Sequence, residues 1–318
     1  VDTLILSQYA FDCSHVGNNT ITFTASDVAA NSASTTFDVM VMDTIKPTMA
    51  VQNINVYLDA TGAATVTAAD VDNGTADACG IDTLILSQYA FDCSHAGANV
   101  INFTATDNNG NTDSATATLT VIDTISPALI VQNLTVYLDA AGMASITAAD
   151  ADNGTTDACG IDTLILSQYN FDCSHAGANT ISFTANDVNA NSGTTTFTVT
   201  VMDTLKPTAV AQNLTVYLDV TGAATITAMD ADNGSTDNCA IDTLILSQYA
   251  FDCSHVGNNT LTFTASDAAA NTDSTTFDVM VMDTIKPAMA VQNINVYLDA
   301  MGMATVTAAD VDNGTADA

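Results

Sequence analysis

The chain is a tandem repeat with an 80-residue period, and this period limits its fold more than any other feature of the sequence. The stretch from Ile81 to Gly97 recurs with starts at Val1, Ile161 and Ile241, without insertion or deletion. A strict period of this size indicates one supersecondary unit copied in tandem. Each candidate functional residue in this stretch is therefore present four times. Such repetition is typical of a structural module and unusual for an active site.

The four prolines indicate where one repeat gives way to the next. Each closes a motif Asp-Thr-x-x-Pro, as in Asp43–Pro47. Proline fixes its own φ and biases the residue before it toward an extended conformation, so we expect short, stiff joints and repeats arranged end to end. The predicted domains are a trailing part of a repeat at 1–42, complete repeats at 43–122, 123–202 and 203–282, and a leading part at 283–318.

A longer period is superimposed on the shorter one. Residues 1–78 match residues 241–318 at all but eight positions, which implies a super-repeat that is three periods long. We therefore expect the sequence to be a window of a longer polypeptide. The alternative is that separate chains complete each other's terminal repeats by strand exchange.

The composition excludes several classes of protein. The chain lacks Trp, Arg and Glu, its 36 acidic residues are all Asp, and with three Lys its formal net charge is −33. Phosphate binding needs clustered Lys and Arg, so nucleic acid and anionic membrane surfaces are not expected partners. No apolar run approaches the ~20 residues of a membrane helix. The scarcity of helix-favouring surface residues, with many Thr, Val and Asn, favours β-structure.

Alternating apolar residues predict the strands of each repeat. In 43–122 the inward positions of successive strands begin at Ile54, Ala64, Leu84, Ile101 and Ala115, separated by turns and by a polar loop at 70–80. Six or seven short antiparallel strands in about 80 residues indicate a small β-sandwich. The expected fold class is therefore all-β, a tandem array of immunoglobulin-like β-sandwich domains.

The same residues resemble a known family. Asp72-Asn73, then Phe91 and Gly97, then an alternating strand that ends at Asp107 before Gly110-Asn111, is similar to the hyalin repeat (HYR) pattern. The glycine of the last pair is alanine at Ala30, Ala190 and Ala270. The resemblance implies an immunoglobulin-like extracellular module associated with adhesion. Near-identical tandem repeats with Asp-Thr-x-x-Pro joints also resemble giant surface adhesins of gliding bacteria exported by type IX secretion.

Seven cysteines recur in a regular alternation of a short step and a long step. Their spacing contains neither Cys-x-x-Cys pairs nor nearby histidines for a zinc site. We predict one disulfide per repeat, in an oxidising compartment, with reduced core thiols as the alternative. The predicted pairs span the short step and are Cys79–Cys93, Cys159–Cys173 and Cys239–Cys253, with the partner of Cys13 outside the chain.

A polar loop in each repeat offers carboxylates for a metal ion. Asp and Asn oxygens in one turn are suitable ligands for Ca²⁺, which takes 6–8 oxygens, although these residues also form turns without metal. The sequence therefore offers Ca²⁺ as a candidate cofactor, and no organic cofactor is expected. Asp107 and Asp123 are secondary candidates. The candidate ligands are Asp70, Asp72 and Asp77, repeated as Asp150, Asp152 and Asp157, as Asp230, Asp232 and Asp237, and as Asp310, Asp312 and Asp317.

Asp92-Cys93-Ser94-His95 brings together residue types that are common in hydrolases. Neighbouring residues on a strand point to opposite faces, whereas catalytic groups converge from separate segments, so we do not expect an enzyme. Outward Thr rows, such as those at Thr104 and Thr118, raise glycan or ice binding as an alternative function. Thr is also a common residue of exposed strands, and sandwich sheets twist.

Each Asp-Thr-aliphatic triplet resembles the O-glycosylation acceptor of the bacteria that use type IX secretion. The predicted acceptors are Thr3, Thr44, Thr83, Thr124, Thr163, Thr204, Thr243 and Thr284. Together these features predict a stalk or filament segment of a secreted cell-surface adhesin, with a role in adhesion or gliding motility. Its expected partners are flanking repeats, and a surface or glycan ligand at a distal tip outside this chain.

Overall fold

The computed structural model describes residues 1–317 and consists mainly of β-strands. The chain divides into two compact units. Unit 1 comprises 1–131, 152–165 and 183–195, and unit 2 comprises 132–151, 166–182 and 196–318. Both units contain part of residues 123–202, so this division does not follow the predicted domain boundaries, which stay predictions.

Six strands recur in each complete period. In unit 1 the strands before residue 123 are β1 Thr3–Leu6, β2 Gly17–Ser26, β3 Ser32–Val41, β4 Ile54–Tyr57, β5 Ala63–Thr65, β6 Ile81–Leu86, β7 Ala90–Asp92, β8 Gly97–Asp107 and β9 Thr112–Ile122. The strands of 123–202 are β10 Leu134–Tyr137, β11 Met143–Ser145, β12 Ile161–Leu166, β13 Asn170–Asp172, β14 Gly177–Asp187 and β15 Ser192–Met202. Those of 203–282 are β16 Leu214–Tyr217, β17 Ala223–Thr225, β18 Ile241–Leu246, β19 Ala250–Asp252, β20 Gly257–Asp267 and β21 Thr272–Met282.

The strands of 43–122 form two sheets. One has four strands in the order β4-β9-β8-β6, and the other pairs β5 with β7. Residues 203–282 repeat this arrangement as β16-β21-β20-β18 and β17-β19. The prediction of an all-β array of immunoglobulin-like sandwiches is confirmed. In 123–202, β10 pairs with β15 and β11 pairs with β13 in the same registers.

The core lies between the two sheets and follows the alternation in the sequence. Phe103, Ala105 and Leu119 of the large sheet have no measurable exposure, and Phe91 of the small sheet packs into the same cluster at 2% exposure. Alternate residues of each strand face the partner sheet because side chains in a strand have a period of two. Outward residues such as Tyr57 remain exposed.

One pairing differs from the antiparallel prediction. β4 runs parallel to the last strand, β9, with Ile54 opposite Leu119 and Tyr57 opposite Ile122. Antiparallel neighbours are joined by hairpins, but these two strands are the first and last of the repeat and the whole repeat connects them. Because both run in the same direction, the chain enters the repeat near Asn111, whose Nδ2 donates to the carbonyl of Asp43 (3.3 Å), and leaves it after Ile122.

A short helix occupies part of the loop that we predicted to be polar and irregular. Helix α1 spans Ala68–Val71, and its equivalents are α2 Ala148–Ala151, α3 Ala228–Ala231 and α4 Ala308–Val311. The backbone N–H and the hydroxyl of Thr67 both donate to Asp70 Oδ2 at 2.7 Å, so Asp70 stabilises the first turn. Thr67-x-x-Asp70 has the spacing of a capping box, and this local pattern ends the strand before Ala68.

Truncation of a core side chain tests the assigned sandwich, because a cavity in the core lowers stability. Phe103→Ala is expected to reduce the free energy of unfolding by about 3–5 kcal/mol, because Phe103 is fully buried and its loss leaves a cavity. Val100→Ala serves as a control on the same strand, since Val100 is 72% exposed, and a change within about 0.5 kcal/mol is expected. Urea titration followed by circular dichroism measures both, and equal effects would contradict the assigned faces.

Candidate functional site: the junction between repeats

The two cysteines of a repeat lie at opposite ends of its large sheet. Cys79 precedes β6, whose first residue Ile81 pairs with Asp107, the last residue of β8. Cys93 lies just before Gly97, the first residue of β8. The 11 residues of β8 therefore separate them, which at ~3.3 Å per residue is about 36 Å. We call the Cys79 end the N-terminal end of the repeat and the Cys93 end its C-terminal end.

The disulfides join consecutive repeats and do not close loops within one repeat. The bonds are Cys13–Cys79, Cys93–Cys159 and Cys173–Cys239, with Cα–Cα distances of 5.1, 5.1 and 5.3 Å and a sequence separation of 66 residues each. The predicted pairs Cys79–Cys93, Cys159–Cys173 and Cys239–Cys253 are wrong, and so is the placement of the Cys13 partner outside the chain. The reason is the distance along β8, since disulfide-bonded Cα atoms lie only ~4.4–6.8 Å apart.

Close backbone approach surrounds the Cys93–Cys159 bond. The sulfur of Cys93 lies 3.7 Å from the carbonyl of Gly62, in the β4–β5 turn at the C-terminal end of its repeat. A Cβ at Gly62 would lie 2.7 Å from Cys93 Sγ and 3.1 Å from Ala158 Cβ of the next repeat. Glycine at this turn, where φ is +74°, therefore lets the disulfide and the neighbouring repeat come together.

The Asp-Cys-Ser-His stretch forms a short turn that is capped by its own side chains. Cys93–His95 is a single 3-10 turn, and the N–H and hydroxyl of Ser94 donate to Asp92 Oδ1 at 2.9 and 2.6 Å. His95 Nδ1 lies 2.8 Å from the same oxygen. The Ser94 hydroxyl therefore donates to the carboxylate, its oxygen also lies 3.3 Å from His95 Nδ1, and the Cys93 sulfur is bonded to Cys159. The hydrogen bonds from Ser94, followed by the contact with His95, hold the pKa of Asp92 below its ordinary value of 3.8.

The three carboxylates proposed for the calcium loop serve three separate local roles. Asp70 caps α1, Asp72 accepts the N–H of Thr75 (2.8 Å), and Asp77 accepts the N–H of Cys79 (2.7 Å). Within residues 1–317 the carboxylates of Asp70, Asp72 and Asp77 do not come together as one group of ligands. The prediction is wrong in the same way for the equivalent sets, which make the equivalent local hydrogen bonds and are Asp150, Asp152 and Asp157, and Asp230, Asp232 and Asp237. Asp and Asn here make turns and caps.

The structure instead gathers carboxylates at the N-terminal end of each complete repeat. Asp77 lies with Asp43, Asp157 lies with Asp123, and in the third repeat Asp203, Asp237 and Asp267 come together, with ligand atoms within 4.8 Å of one another. The first two groups also include the sulfurs of Cys79 and Cys159, which are held in disulfides. Asp107 and Asp123 are the secondary candidates from the sequence, and Asp43 and Asp203, which are equivalent to Asp123 and begin the same kind of Asp-Thr-x-x-Pro joint, are not among its candidates.

Asp107, the residue equivalent to Asp267, lies at the N-terminal end of the first complete repeat and is held there by hydrogen bonds. Its Oδ1 accepts the N–H groups of Asn109 and Asn111 (both 2.8 Å), and its Oδ2 accepts Asn111 Nδ2 (2.7 Å). Burial raises the pKa of Asp107, but these hydrogen bonds outweigh it and the pKa lies below its ordinary value. The β8–β9 turn and the joint are thereby tied together through Asn111.

The predicted glycosylation acceptors are all exposed. Thr3, Thr44, Thr83, Thr124, Thr163, Thr204, Thr243 and Thr284 lie at the surface of the described chain. Their accessibility is compatible with modification, which stays a prediction.

None of the helices formed by residues 1–317 has the length and apolarity needed to cross a bilayer.

The chain is distantly similar to a known protein and to solved extracellular domains. No family model matches the chain. Hyalin of Strongylocentrotus purpuratus is 28% identical over 287 residues, which cover 86% of this chain and 24% of that protein, so the chain spans about a quarter of its relative. Solved structures include the protocadherin gammaB4 extracellular domain (16% identity, TM-score 0.29, 94% of this chain and 62% of that one). Mouse cadherin-23 EC22-24 has 14% identity and a TM-score of 0.31, over 74% of this chain and 97% of that one.

Disulfide mapping tests the junction directly. Proteolysis of the unreduced protein followed by mass spectrometry should give peptides that link Cys13 to Cys79, Cys93 to Cys159 and Cys173 to Cys239. Since nearly identical peptides recur, digestion must keep Val100 or Asn170 with its cysteine to assign the repeat. Peptides linking Cys79 to Cys93 would contradict the arrangement.

The capping carboxylates predict a loss of stability in acid. Asp92 and Asp172 have lowered pKa values because Ser94 and Ser174, then the adjacent histidines, hydrogen-bond to the ionised form. A lowered folded-state pKa contributes stability that is present above the unfolded-state value and is lost as pH falls through the folded one. Asp172→Ala should therefore lower Tm at pH 7, and its difference from the parent should shrink below about pH 3.8. Thermal melts across this range measure it, with the exposed Asp162→Ala as control.

Proposed function

We propose that this chain is a load-bearing stalk segment of an extracellular adhesion protein. The observation that carries the proposal is the set of disulfides between consecutive repeats. Disulfides persist in oxidising compartments, which supports secretion or surface display. The resemblance to hyalin repeats and the distant similarity to hyalin support the adhesion role.

The disulfides create a covalent path that bypasses most of each repeat. From Cys79 the path follows the chain to Cys93, crosses to Cys159, follows the chain to Cys173 and crosses to Cys239. Each period therefore adds only the short step between two cysteines, such as 79–93, and one disulfide. At ~3.5 Å per residue this is about 50 Å, against about 280 Å for the full period.

This path limits how far pulling can extend the chain. Residues 94–158 lie inside the loop closed by Cys93 and Cys159, so tension between the ends of the chain does not act along them while the bond is intact. A repeat that unfolds remains tethered and can refold beside its neighbours. A loop of 66 residues also restricts the unfolded state, which on chain-entropy grounds stabilises the fold by about 4 kcal/mol per bond.

The assignment to a bacterial surface rests on the Asp-Thr-x-x-Pro joints, which resemble those of giant surface adhesins of gliding bacteria. We infer a surface adhesin of a gliding bacterium, exported by type IX secretion and carrying O-glycans at its Asp-Thr sites. Its ligand would bind a distal tip, and its immediate partners are flanking repeats. The rival function, glycan or ice binding through Thr-rich faces, has less support, because Thr104, Thr106 and Thr118 are partly buried.

Force spectroscopy of the full chain tests the stalk. When the oxidised protein is pulled from its ends, the residues inside each of its three disulfide loops should not contribute to the contour length. Reduction should then release all three loops and add roughly 680 Å of contour length at ~3.5 Å per residue. The double variant Cys93→Ser/Cys159→Ser should release about a third of that length without reductant.

The matched control is Ser94→Ala/Ser174→Ala, which alters the same turns but leaves every disulfide intact and should release no additional length. Equal contour lengths before and after reduction would refute the bypass. Saturable binding of the same fragment to a glycan array, or shaping of ice crystals, would favour the rival function.

A further inference from the structure

We propose that Asp203, Asp237 and Asp267 bind a Ca²⁺ ion at the N-terminal end of the third complete repeat. The three come from separate segments, namely the Asp-Thr-x-x-Pro joint, the turn before Cys239 and the end of β20. Each offers one carboxylate oxygen, and these oxygens all lie within 4.8 Å of one another. Opposite ligands of an ion with Ca–O bonds of ~2.4 Å are about 4.8 Å apart, so one Ca²⁺ can contact all three.

Two buried carboxylate oxygens without hydrogen bonds point to the missing ligand. Asp203 is only 9% exposed, and its Oδ2 receives no hydrogen bond from any described residue. Its Oδ1 accepts the N–H of Leu205 (3.1 Å) and Asn238 Nδ2 (3.2 Å). Asp237 also has one hydrogen-bonded and one unpaired oxygen. Its Oδ2 accepts the N–H of Cys239 (2.8 Å), and its Oδ1 is buried without a hydrogen bond. Buried polar atoms are normally paired, so these oxygens need a partner.

No side-chain cation of the described chain fills that role. The ion pairs within residues 1–317 join each His to the Asp three positions before it, and none involves Asp203, Asp237 or Asp267. Lys206 lies on the same joint but is exposed. Three carboxylates at such separations repel one another, and a divalent cation would convert this repulsion into attraction.

Part of this pattern recurs one and two periods earlier, with two carboxylates in each group in place of three. Asp43 Oδ2 and Asp123 Oδ2 are buried without a hydrogen bond, and Asp123 is 7% exposed. Each lies with the carboxylate of the turn before the cysteine, Asp77 or Asp157. The side-chain carbonyls of Asn109 and Asn189 are also buried and unpaired. An unpaired acceptor that returns with the period of the sequence is a property of the repeat and not of one loop.

Isothermal titration calorimetry of the oxidised chain with Ca²⁺ tests the site. The parent should bind Ca²⁺ with a Kd of about 0.1–1 mM, the range of extracellular modules. The double variant Asp203→Asn/Asp237→Asn should bind one equivalent fewer. Asp242→Asn removes one exposed carboxylate from β18 of the same repeat and should bind as the parent does. No binding by the parent, or unchanged stoichiometry in the double variant, would overturn the site.

Thermal melts separate loss of the ligand from loss of the fold. In chelator the double variant should melt no lower than the parent, because it relieves repulsion among carboxylates. Millimolar Ca²⁺ should raise the parent Tm more than that of the variant, at ionic strength held constant with NaCl. If the double variant does not form the Cys173–Cys239 bond, Asp203→Asn alone replaces it and should weaken Ca²⁺ binding. An equal Tm rise for parent and variants would assign the effect to general screening and refute the site.

Discussion

The structure depends on the distance between the two cysteines of one repeat. β6 and β8 run the length of the large sheet and place Cys79 and Cys93 at opposite ends of it. A cysteine at the C-terminal end of one repeat can then reach only a cysteine at the N-terminal end of the next. The parallel pairing of β4 with β9 has the same consequence for the backbone, since it lets the chain enter at one end and leave at the other. Covalent and main-chain connections therefore run in the same direction through the array.

Much of the fold could be predicted because it depends on local pattern. The alternation of Ile101, Phe103 and Ala105 requires a strand with one buried face, and these residues are buried. The disulfide pairing could not be predicted in this way. Along the sequence a short step, as from Cys79 to Cys93, alternates with a long one, as from Cys93 to Cys159, and either step can be a bond. The six-residue strand Ile81–Leu86 between Cys79 and Cys93 was the available signal, since an extended strand carries its two ends apart.

The carboxylates show a similar division between local and tertiary information. Asp70 and Asp72 were grouped with Asp77 because they are close in sequence, yet local hydrogen bonds to Thr67 and Thr75 occupy them. Asp203 and Asp267 lie at the first joint and the last hairpin of their repeat, and only the pairing of strands brings them together. The sequence groups carboxylates that lie in one loop, whereas the fold collects them from a joint, a turn and a strand end. The Asp of each Asp-Thr-x-x-Pro joint is plain in the sequence, but its position beside the carboxylate of the turn before the cysteine appears only in three dimensions.

The covalent path also gives a physical reason for the most uniform stretch of the sequence. Residues 81–95 recur in all four copies with changes only at the first and tenth positions, Val1 and Asn170. This stretch contains β6, β7 and the 3-10 turn, and most of it lies on the path between Cys79 and Cys93. Residues inside the disulfide loops need only keep the sandwich packed, and there the repeat tolerates Ala30 and Ala190 at positive φ where Gly110 occupies the equivalent turn. Residues on the path must also keep each cysteine at its own end of the sheet, because a shift of either end would break the connection to the next repeat.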